Sequence, residues 1–246
     1  MICERCRIEN TEDSRYCKGC GALLKQDVEA HISRGLLYRR RGGGSAQGNA
    51  LIELTQALKL DPQNAEANFY MGKLMYDNGF LEDALNYYKK AIETSPEWAD
   101  VYFEIGTAYY RLCRIDEAIE VFEKAYSLNP EYIISCYYAG LAYYHKGSLD
   151  KAIKHFENVI QKDPEFAMAY YHLGRAYTKK NFTNKAIESL EKLVAISPKD
   201  SDAFFHLGFS YWKNDNEEKA IWALQKALEL NPDDENAKGI LKQLMR

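Results

Sequence analysis

The sequence contains no uninterrupted apolar run long enough to cross a bilayer, and its first residues lack the apolar core and cleavage site of a signal peptide. None of its five histidines stands beside a cysteine, serine or carboxylate in a recognisable nucleophile motif. The glycine run at residues 42–44 follows three arginines, which is typical of a flexible turn and not of a phosphate loop. We therefore expect a cytoplasmic protein that is not an enzyme.

The chain also has no excess of positive charge. The chain carries 32 lysines and arginines against 36 aspartates and glutamates, a net charge of −4, and its pI is near 5.8. Residues 1–45 hold nine basic and six acidic side chains, which gives this segment a charge of +3 and leaves −7 for the remainder. This balance disfavours a dedicated nucleic-acid-binding protein.

Proline is limited to six residues, and consecutive prolines lie 34 residues apart without exception. They are Pro62, Pro96, Pro130, Pro164, Pro198 and Pro232. Each follows Asp, Asn or Ser, a pair that ends a helix and begins a turn because proline forces the preceding residue out of the helical region. A fixed period of this length predicts an array of stacked helical hairpins, and such arrays usually bind partners.

Small residues keep the same period. One column holds Gly72, Gly106, Gly140, Gly174 and Gly208, and a second holds Ala84, Ala118, Ala152, Ala186 and Ala220. Antiparallel helices approach closely only where a small residue faces the partner, so these columns predict the contact within each hairpin. Gly79, Gly147 and Asn181 recur where a left-handed residue would reverse the chain, whereas Cys113 and Asp215 occupy that column without the same preference.

A tyrosine column completes the pattern, with Tyr109, Tyr143, Tyr177 and Tyr211. Together these columns resemble the tetratricopeptide repeat (TPR) family over residues 31–234. The resemblance implies an all-α, right-handed superhelical solenoid with five repeats, at residues 65–98, 99–132, 133–166, 167–200 and 201–234. Residues 25–64 are predicted to form a degenerate capping repeat, with Tyr38 where glycine is expected, and residues 235–246 a C-terminal capping helix.

Four of the six cysteines lie in the first 20 residues, as two pairs with two residues inside each pair: Cys3 with Cys6, and Cys17 with Cys20. Four thiolates in this arrangement suit a tetrahedral zinc ion, because each short turn presents two sulfurs to one metal. The segment also resembles zinc ribbons that end in Cys-x-x-Cys-Gly, so residues 1–24 are predicted to be a ribbon with structural Zn²⁺ as cofactor. An iron-binding or redox-sensitive site and disulfides are the alternatives.

Functional residues are expected on the first helices of the repeats, whose inner stripe is the ligand groove in proteins of the resembled family. The residues predicted to line it are Phe69, Lys73, Phe103, Thr107, Tyr110, Tyr137, Tyr138, Tyr144, His145, Tyr171, His172, Arg175, Lys179, Phe205, His206 and Lys213. Aromatic rings would anchor a peptide or partner helix, and the basic residues of the later repeats favour an acidic partner. Because histidines neighbour these basic residues, binding is expected to weaken as the pH rises through their titration range.

These patterns favour a non-enzymatic scaffold or adaptor that binds a protein or peptide. One alternative is a nucleic-acid-associated protein whose ribbon contacts phosphates, although four thiolates on zinc lower the charge of that segment to about +1. Another is a regulatory subunit of an enzyme or of an envelope-assembly complex. The groove charges also fit ordinary solvated side chains, and the second helices could carry the binding face instead.

Overall fold

A computed structural model describes residues 2, 6–11, 18–20 and 27–245. Apart from one isolated antiparallel bridge between Ile2 and Glu9, this part of the chain forms helices and their connections, which confirms the predicted all-α class. Within these residues the thirteen helices are α1 (Val28–Arg41), α2 (Gly44–Leu60), α3 (Ala65–Asp77), α4 (Leu81–Thr94), α5 (Ala99–Arg111), α6 (Ile115–Leu128), α7 (Ile133–Lys146), α8 (Leu149–Lys162), α9 (Ala167–Lys179), α10 (Thr183–Ile196), α11 (Ser201–Lys213), α12 (Glu217–Leu230) and α13 (Glu235–Leu244).

The chain divides into two compact units, Met1–Leu112 with helices α1–α5 and Cys113–Arg246 with helices α6–α13. Within each unit every helix packs against the next helix along the chain, as stacked hairpins require. First helices of successive hairpins also touch, α1 with α3 and α3 with α5 in the first unit, and α7 with α9 and α9 with α11 in the second. We call the surface of α1, α3 and α5, and that of α7, α9 and α11, the first-helix face of its unit.

The close contact between the two helices of a hairpin is clear at Gly174. A Cβ atom placed on Gly174 would lie 2.6 Å from Leu190 Cγ on the facing helix α10, so only a hydrogen atom fits there. Leu190 and Ala186, the small residue of the second column, are both fully buried. Helices α9 and α10 can therefore approach closely because one supplies a glycine and the other fills the space with leucine.

The turn column is left-handed at every position predicted from the repeat. The φ angles are 84° at Gly79, 59° at Cys113, 83° at Gly147, 60° at Asn181 and 54° at Asp215. Cys113 and Asp215 thus adopt the glycine-like conformation despite the steric cost of a Cβ atom in this region. The position in the repeat decides the turn, because the chain must reverse after the same number of helical residues each time.

The hairpin of α1 and α2 uses a glycine that the repeat spacing did not predict. Tyr38 stands where glycine is expected, but Gly35 makes the close contact, with its Cβ position 3.0 Å from Leu54 Cγ and 3.6 Å from the Ala50 carbonyl oxygen. Gly35 precedes Tyr38 by three residues and therefore lies on the same side of α1, one turn earlier. The degenerate hairpin keeps the small contact but moves it, and the chain reverses at residues 42–43.

A hydrogen bond between successive hairpins repeats through the second unit. Tyr143 donates to Glu123 (2.8 Å), Tyr177 to Glu157 (2.6 Å) and Tyr211 to Glu191. In each case the acceptor belongs to the second helix of the preceding hairpin, so the bond ties one repeat to the next. Burial first, and then the bond to Glu123, raise the pKa of Tyr143 to about 12. The sequence showed the tyrosines as a column of the repeat, whereas their glutamate partners are seen only in the structure.

An amphipathic helix packs on the last hairpin of the second unit. Ile240 and Leu241 of α13 are buried in one cluster with Leu224 of α12. The polar side of α13 faces solvent, which lets it cover an apolar surface that a further repeat would otherwise cover. Among the helices described, none has the length and apolar character needed to span a membrane.

Candidate functional site

The residues predicted to line the groove all belong to first helices. They are distributed as Phe69 and Lys73 on α3; Phe103, Thr107 and Tyr110 on α5; Tyr137, Tyr138, Tyr144 and His145 on α7; Tyr171, His172, Arg175 and Lys179 on α9; and Phe205, His206 and Lys213 on α11. The structure therefore separates them into one group on each first-helix face, and the two faces differ in how their charges are balanced.

Several of the predicted aromatic residues lie largely beneath the surface. Phe69, Tyr137, Tyr144 and His172 are each at least 92% buried, with exposed fractions of 7%, 6%, 5% and 8%. His172 stacks on Phe156 of α8, with ring centroids 5.6 Å apart. These side chains form an aromatic layer that supports the exposed residues above it.

On the first unit, three cations of this face are paired with a carboxylate or a carbonyl oxygen. Lys73 on α3 forms an ion pair with Glu104 on α5, and Arg39 on α1 forms one with Asp77 at 2.9 Å. Arg111 lies over the ring of Tyr76, 4.7 Å from its centroid, and donates to that residue's carbonyl oxygen at 3.4 Å. Lys73 and Arg39 would therefore have to leave a carboxylate before they could bind an acidic ligand.

On the second unit the cations of this face stack on aromatic rings. Arg175 lies 5.2 Å from the centroid of the Tyr171 ring and 5.7 Å from that of Tyr144, and Lys179 lies 4.1 Å from the Tyr144 centroid. Lys213 lies over Phe209 at 5.2 Å. Within the described residues Arg175, Lys179 and Lys213 form no ion pair with a carboxylate.

The same face contains an open cavity of about 260 Å³. We call it the α9 cavity. It is lined by Tyr144, Arg175, Thr178, Lys179, Phe205, His206 and Phe209. Three consecutive first helices contribute to it, since these residues belong to α7, α9 and α11. Thr178 and Phe209 were not among the predicted groove residues, although both stand on the expected stripe of their helices, at positions 12 and 9 of their repeats.

The histidines on this face carry less positive charge than the sequence suggested. Burial, followed by the nearby Arg175 cation, lowers the pKa of His172 to about 4. Burial and then neighbouring cations also lower the pKa values of His145 and His206. All three are therefore neutral near pH 7, and the positive charge there comes from lysine and arginine. Because the pKa values of these histidines lie below the ordinary histidine value, partner binding should change with pH mainly under acidic conditions.

A hydrogen-bonded chain holds Arg175 in place. Arg175 donates to the Tyr171 hydroxyl at 3.3 Å, and that hydroxyl lies 3.4 Å from His206 Nε2. Neutral His206 can accept the tyrosine proton at Nε2, which agrees with its lowered pKa. The Tyr171 hydroxyl thus orients the guanidinium group of Arg175, which lines the cavity.

Two of the four predicted zinc ligands, Cys6 and Cys20, are among the described residues, and Cys3 and Cys17 lie outside them. A Cβ atom placed on Gly19 would lie 3.7 Å from Cys6 Sγ, so the sulfur of the first pair approaches the loop of the second pair. Where residues are described, no group of three or more metal-ligating side chains occurs. The described residues include only half of the predicted ligand set.

The described backbone near Cys6 contains an isolated bridge and a left-handed residue. Ile2 and Glu9 form an antiparallel bridge around Cys6, and Arg7 has a left-handed φ of 64°. The Asn10 side chain accepts from the Lys18 backbone N–H at 2.9 Å, which links the two cysteine loops. This hydrogen bond brings the segment after Cys6 close to the segment before Cys20.

The stacked hairpins, the small-residue contacts and the first-helix faces define a helical-repeat protein of the kind that binds other proteins. Family models agree: a TPR repeat model matches residues 72–112, 140–181 and 174–215, and two tetratricopeptide repeat models match residues 99–132 and 201–234. The chain belongs to the tetratricopeptide repeat family. These matches are to repeat families and none is to an enzyme family.

Solved structures show the same fold. YrrB, described as a TPR protein with an unusual peptide-binding site, is 24% identical with a TM-score of 0.69 and covers 77% of this chain and 97% of its own. MamA of Desulfovibrio magneticus RS-1 is 26% identical with a TM-score of 0.65, covering 70% and 97%. PilF of Pseudomonas aeruginosa is 18% identical with a TM-score of 0.71, covering 88% and 97%. No curated protein matches the chain in sequence.

Proposed function

We propose that this TPR protein is a scaffold whose second unit binds an acidic segment of a partner protein across helices α7, α9 and α11. One observation carries the proposal: Arg175 and Lys179 stand beside a cavity without a carboxylate partner among the described residues. An acidic ligand would supply the missing charges, and aromatic rings around the cations would exclude water and strengthen the attraction.

The first-helix face of the first unit offers a contrast that supports this choice. Its Lys73 and Arg39 are already neutralised by Glu104 and Asp77. An acidic ligand would have to break these ion pairs before it gained new ones, whereas Arg175 and Lys179 need break none. The basic half predicted from the sequence is therefore the half expected to bind.

The test is recovery of partners from a lysate of the source cells with immobilised protein, analysed by mass spectrometry with and without nuclease. The decisive variant carries Arg175→Glu and Lys179→Glu. Its matched control carries Lys154→Glu and Lys192→Glu, which make the same change in charge at exposed positions of the second helices α8 and α10. Thermal melting of each protein by circular dichroism verifies that the fold is retained.

We expect a nuclease-resistant partner that the control retains and the decisive variant loses. Loss with the control alone would place the binding face on the second helices. Retention that disappears with nuclease would favour the nucleic-acid alternative, because phosphate contacts would then carry the interaction. Equal retention by all proteins would refute the proposal.

We also propose that Cys3, Cys6, Cys17 and Cys20 hold a structural zinc ion. The approach of Cys6 Sγ to Gly19 supports it, as does the hydrogen bond between the two cysteine loops. A bound zinc ion would supply most of the folding free energy of so small a segment. Metal analysis of the purified protein should give one zinc per chain, reduced strongly by Cys6→Ser but not by Cys113→Ser, an exposed cysteine elsewhere. Iron in place of zinc, or equal metal in both variants, would contradict the proposal.

A further inference from the structure

The α9 cavity combines charge and apolar surface within a small space. Arg175 and Lys179 provide its cations, and Phe205 and Phe209 provide apolar walls, with ring centroids 6.3 Å apart and planes inclined by 25°. A ligand that satisfies only the cations would leave these aromatic walls in contact with water. Burying an apolar group against them would add a hydrophobic contribution to the electrostatic one.

Most other polar groups of the cavity are already engaged. The Thr178 hydroxyl donates to the Gly174 carbonyl oxygen at 2.9 Å, and His206 Nε2 lies 3.4 Å from the Tyr171 hydroxyl. The Tyr144 hydroxyl is buried beneath the surface and is not accessible to a ligand. The two cations are therefore the groups that remain to fix the polar part of a ligand.

The nature of these donors selects the kind of anion. The cavity is lined by side chains from within three helices, where the backbone N–H groups are used in the helical hydrogen bonds. Phosphate sites commonly recruit free backbone N–H groups at a helix N-terminus, and this cavity has none on its lining. Two side-chain cations can be bridged by the two oxygens of one carboxylate, so a carboxylate needs no backbone donor here.

The size of the cavity selects the spacing within the ligand. A sphere of 260 Å³ is about 8 Å across, and side chains two residues apart on one face of an extended strand are separated by about 6.6 Å. Adjacent side chains point to opposite faces and cannot both enter. The volume equals about nine water molecules at about 30 Å³ each, which is enough for one large apolar side chain beside a carboxylate.

We propose that the α9 cavity recognises an extended peptide segment in which a carboxylate and a leucine- or phenylalanine-sized side chain stand two residues apart. This inference rests on the proposed function, since it specifies the acidic segment that the second unit binds. The carboxylate bridges Arg175 and Lys179, and the apolar side chain lies against Phe205 and Phe209.

The test uses synthetic octapeptides with an acetylated N-terminus and an amidated C-terminus, so that no terminal carboxylate is present. Each contains one glutamate at a fixed position in a glycine and serine background, with leucine placed one, two or three residues away. Matched peptides replace leucine with alanine, glutamate with glutamine, or glutamate with phosphoserine. Binding to the full chain is measured by fluorescence anisotropy at low ionic strength, where electrostatic attraction is least screened.

We expect the peptide with leucine two residues from glutamate to bind about 10- to 50-fold more tightly than its alanine counterpart, because burying three additional carbon atoms contributes to that extent. The variant with Arg175→Gln and Lys179→Gln should lose the preference for glutamate over glutamine. Phe209→Ala should lose the preference for leucine, whereas Phe182→Ala, at an exposed ring outside the cavity, should keep it. The peptide substitutions need no change in the protein, so they test the proposal even if Phe209→Ala unfolds.

The outcomes separate this inference from the proposed function. Binding that requires glutamate, Arg175 and Lys179 but shows no preference for leucine at any spacing would overturn the inference and leave the proposed function standing. Tighter binding of the phosphoserine peptide would overturn the choice of carboxylate. If no acidic peptide binds more tightly than its glutamine counterpart, both proposals fail.

Discussion

Replacing Gly174 with alanine should destabilise the α9–α10 hairpin. The added Cβ atom would meet Leu190 Cγ at 2.6 Å and Cδ2 at 2.8 Å, both well inside van der Waals contact. The atom at 2.6 Å is the branch point of the leucine side chain and not its flexible end, so rotating the outer torsion cannot move it away. Leu190 is fully buried and has no free space into which the whole side chain can shift.

The magnitude follows from two opposing effects. Overpacking a well-packed core by one methyl group costs about 1–3 kcal/mol, and the short contact places Gly174→Ala near the upper end. Replacing glycine by alanine inside a helix returns about 1 kcal/mol through helix propensity. The expected net loss is about 2 kcal/mol, which lowers the melting temperature by about 4–8 °C for a chain of this size.

The matched control is Gly239→Ala in α13. Gly239 is also helical, but a Cβ atom placed there meets no heavy atom within 4 Å, so the propensity gain should appear alone, as about 1 kcal/mol of added stability. Urea denaturation followed by circular dichroism measures both changes, which should differ by about 3 kcal/mol. If Gly174→Ala proves as stable as the native protein while Gly239→Ala is stabilised, the steric account of the glycine column is wrong.

Three further predictions concern the second unit. Tyr177→Phe should cost about 1 kcal/mol of unfolding free energy, because it removes the 2.6 Å hydrogen bond to Glu157; a change below 0.3 kcal/mol in urea denaturation would show that this bond contributes little. The pKa of His172 in the folded protein is lowered to about 4, so the unfolded protein binds a proton at this residue first as the pH falls. The free energy of unfolding should therefore decrease between about pH 6.5 and 4, by up to about 3 kcal/mol. His172→Phe should reduce this decrease when thermal melting is measured across the pH range. Leu241→Ala should lower the free energy of unfolding by about 2–3 kcal/mol, because it exposes the apolar end of the last hairpin. Met245 is 71% exposed in the native protein, so Met245→Ala should change stability by less than about 0.5 kcal/mol. Equal effects of the two substitutions would argue against a capping role for α13.

The periodic contacts could be read from the sequence because they depend on local geometry. The glycine and alanine columns name the positions where paired helices touch, and Gly174 with Ala186 shows the predicted burial. In the first hairpin, counting from the other repeats assigns the contact to the wrong residue. Its register shifts by three residues, so Gly35 makes the contact that counting from the other repeats assigns to Tyr38. A single degenerate repeat offers no second copy with which the shift could be recognised.

The positions of the first-helix residues could be predicted from the sequence, but not which of their charges are paired. The stripe of first-helix residues follows from helical spacing, and Arg175 and Lys179 were expected on it. Whether a lysine or arginine forms an ion pair depends on which carboxylates the neighbouring helices bring close to it. Lys73 pairs with Glu104 from the next first helix, 31 residues later, and no local rule selects that partner.

The sequence by itself determined that this protein is an array of helical hairpins with a 34-residue period, because prolines, small contacts and turns act within or next to one repeat. It also predicted which helices carry the residues expected to line the groove. Only the tertiary structure decided that Lys73 and Arg39 of the first unit pair with carboxylates, while Arg175 and Lys179 of the second unit lie beside a largely apolar cavity. Ion pairing, burial and cavity shape arise from side chains of different repeats meeting in space, and the order of residues along the chain does not fix those meetings.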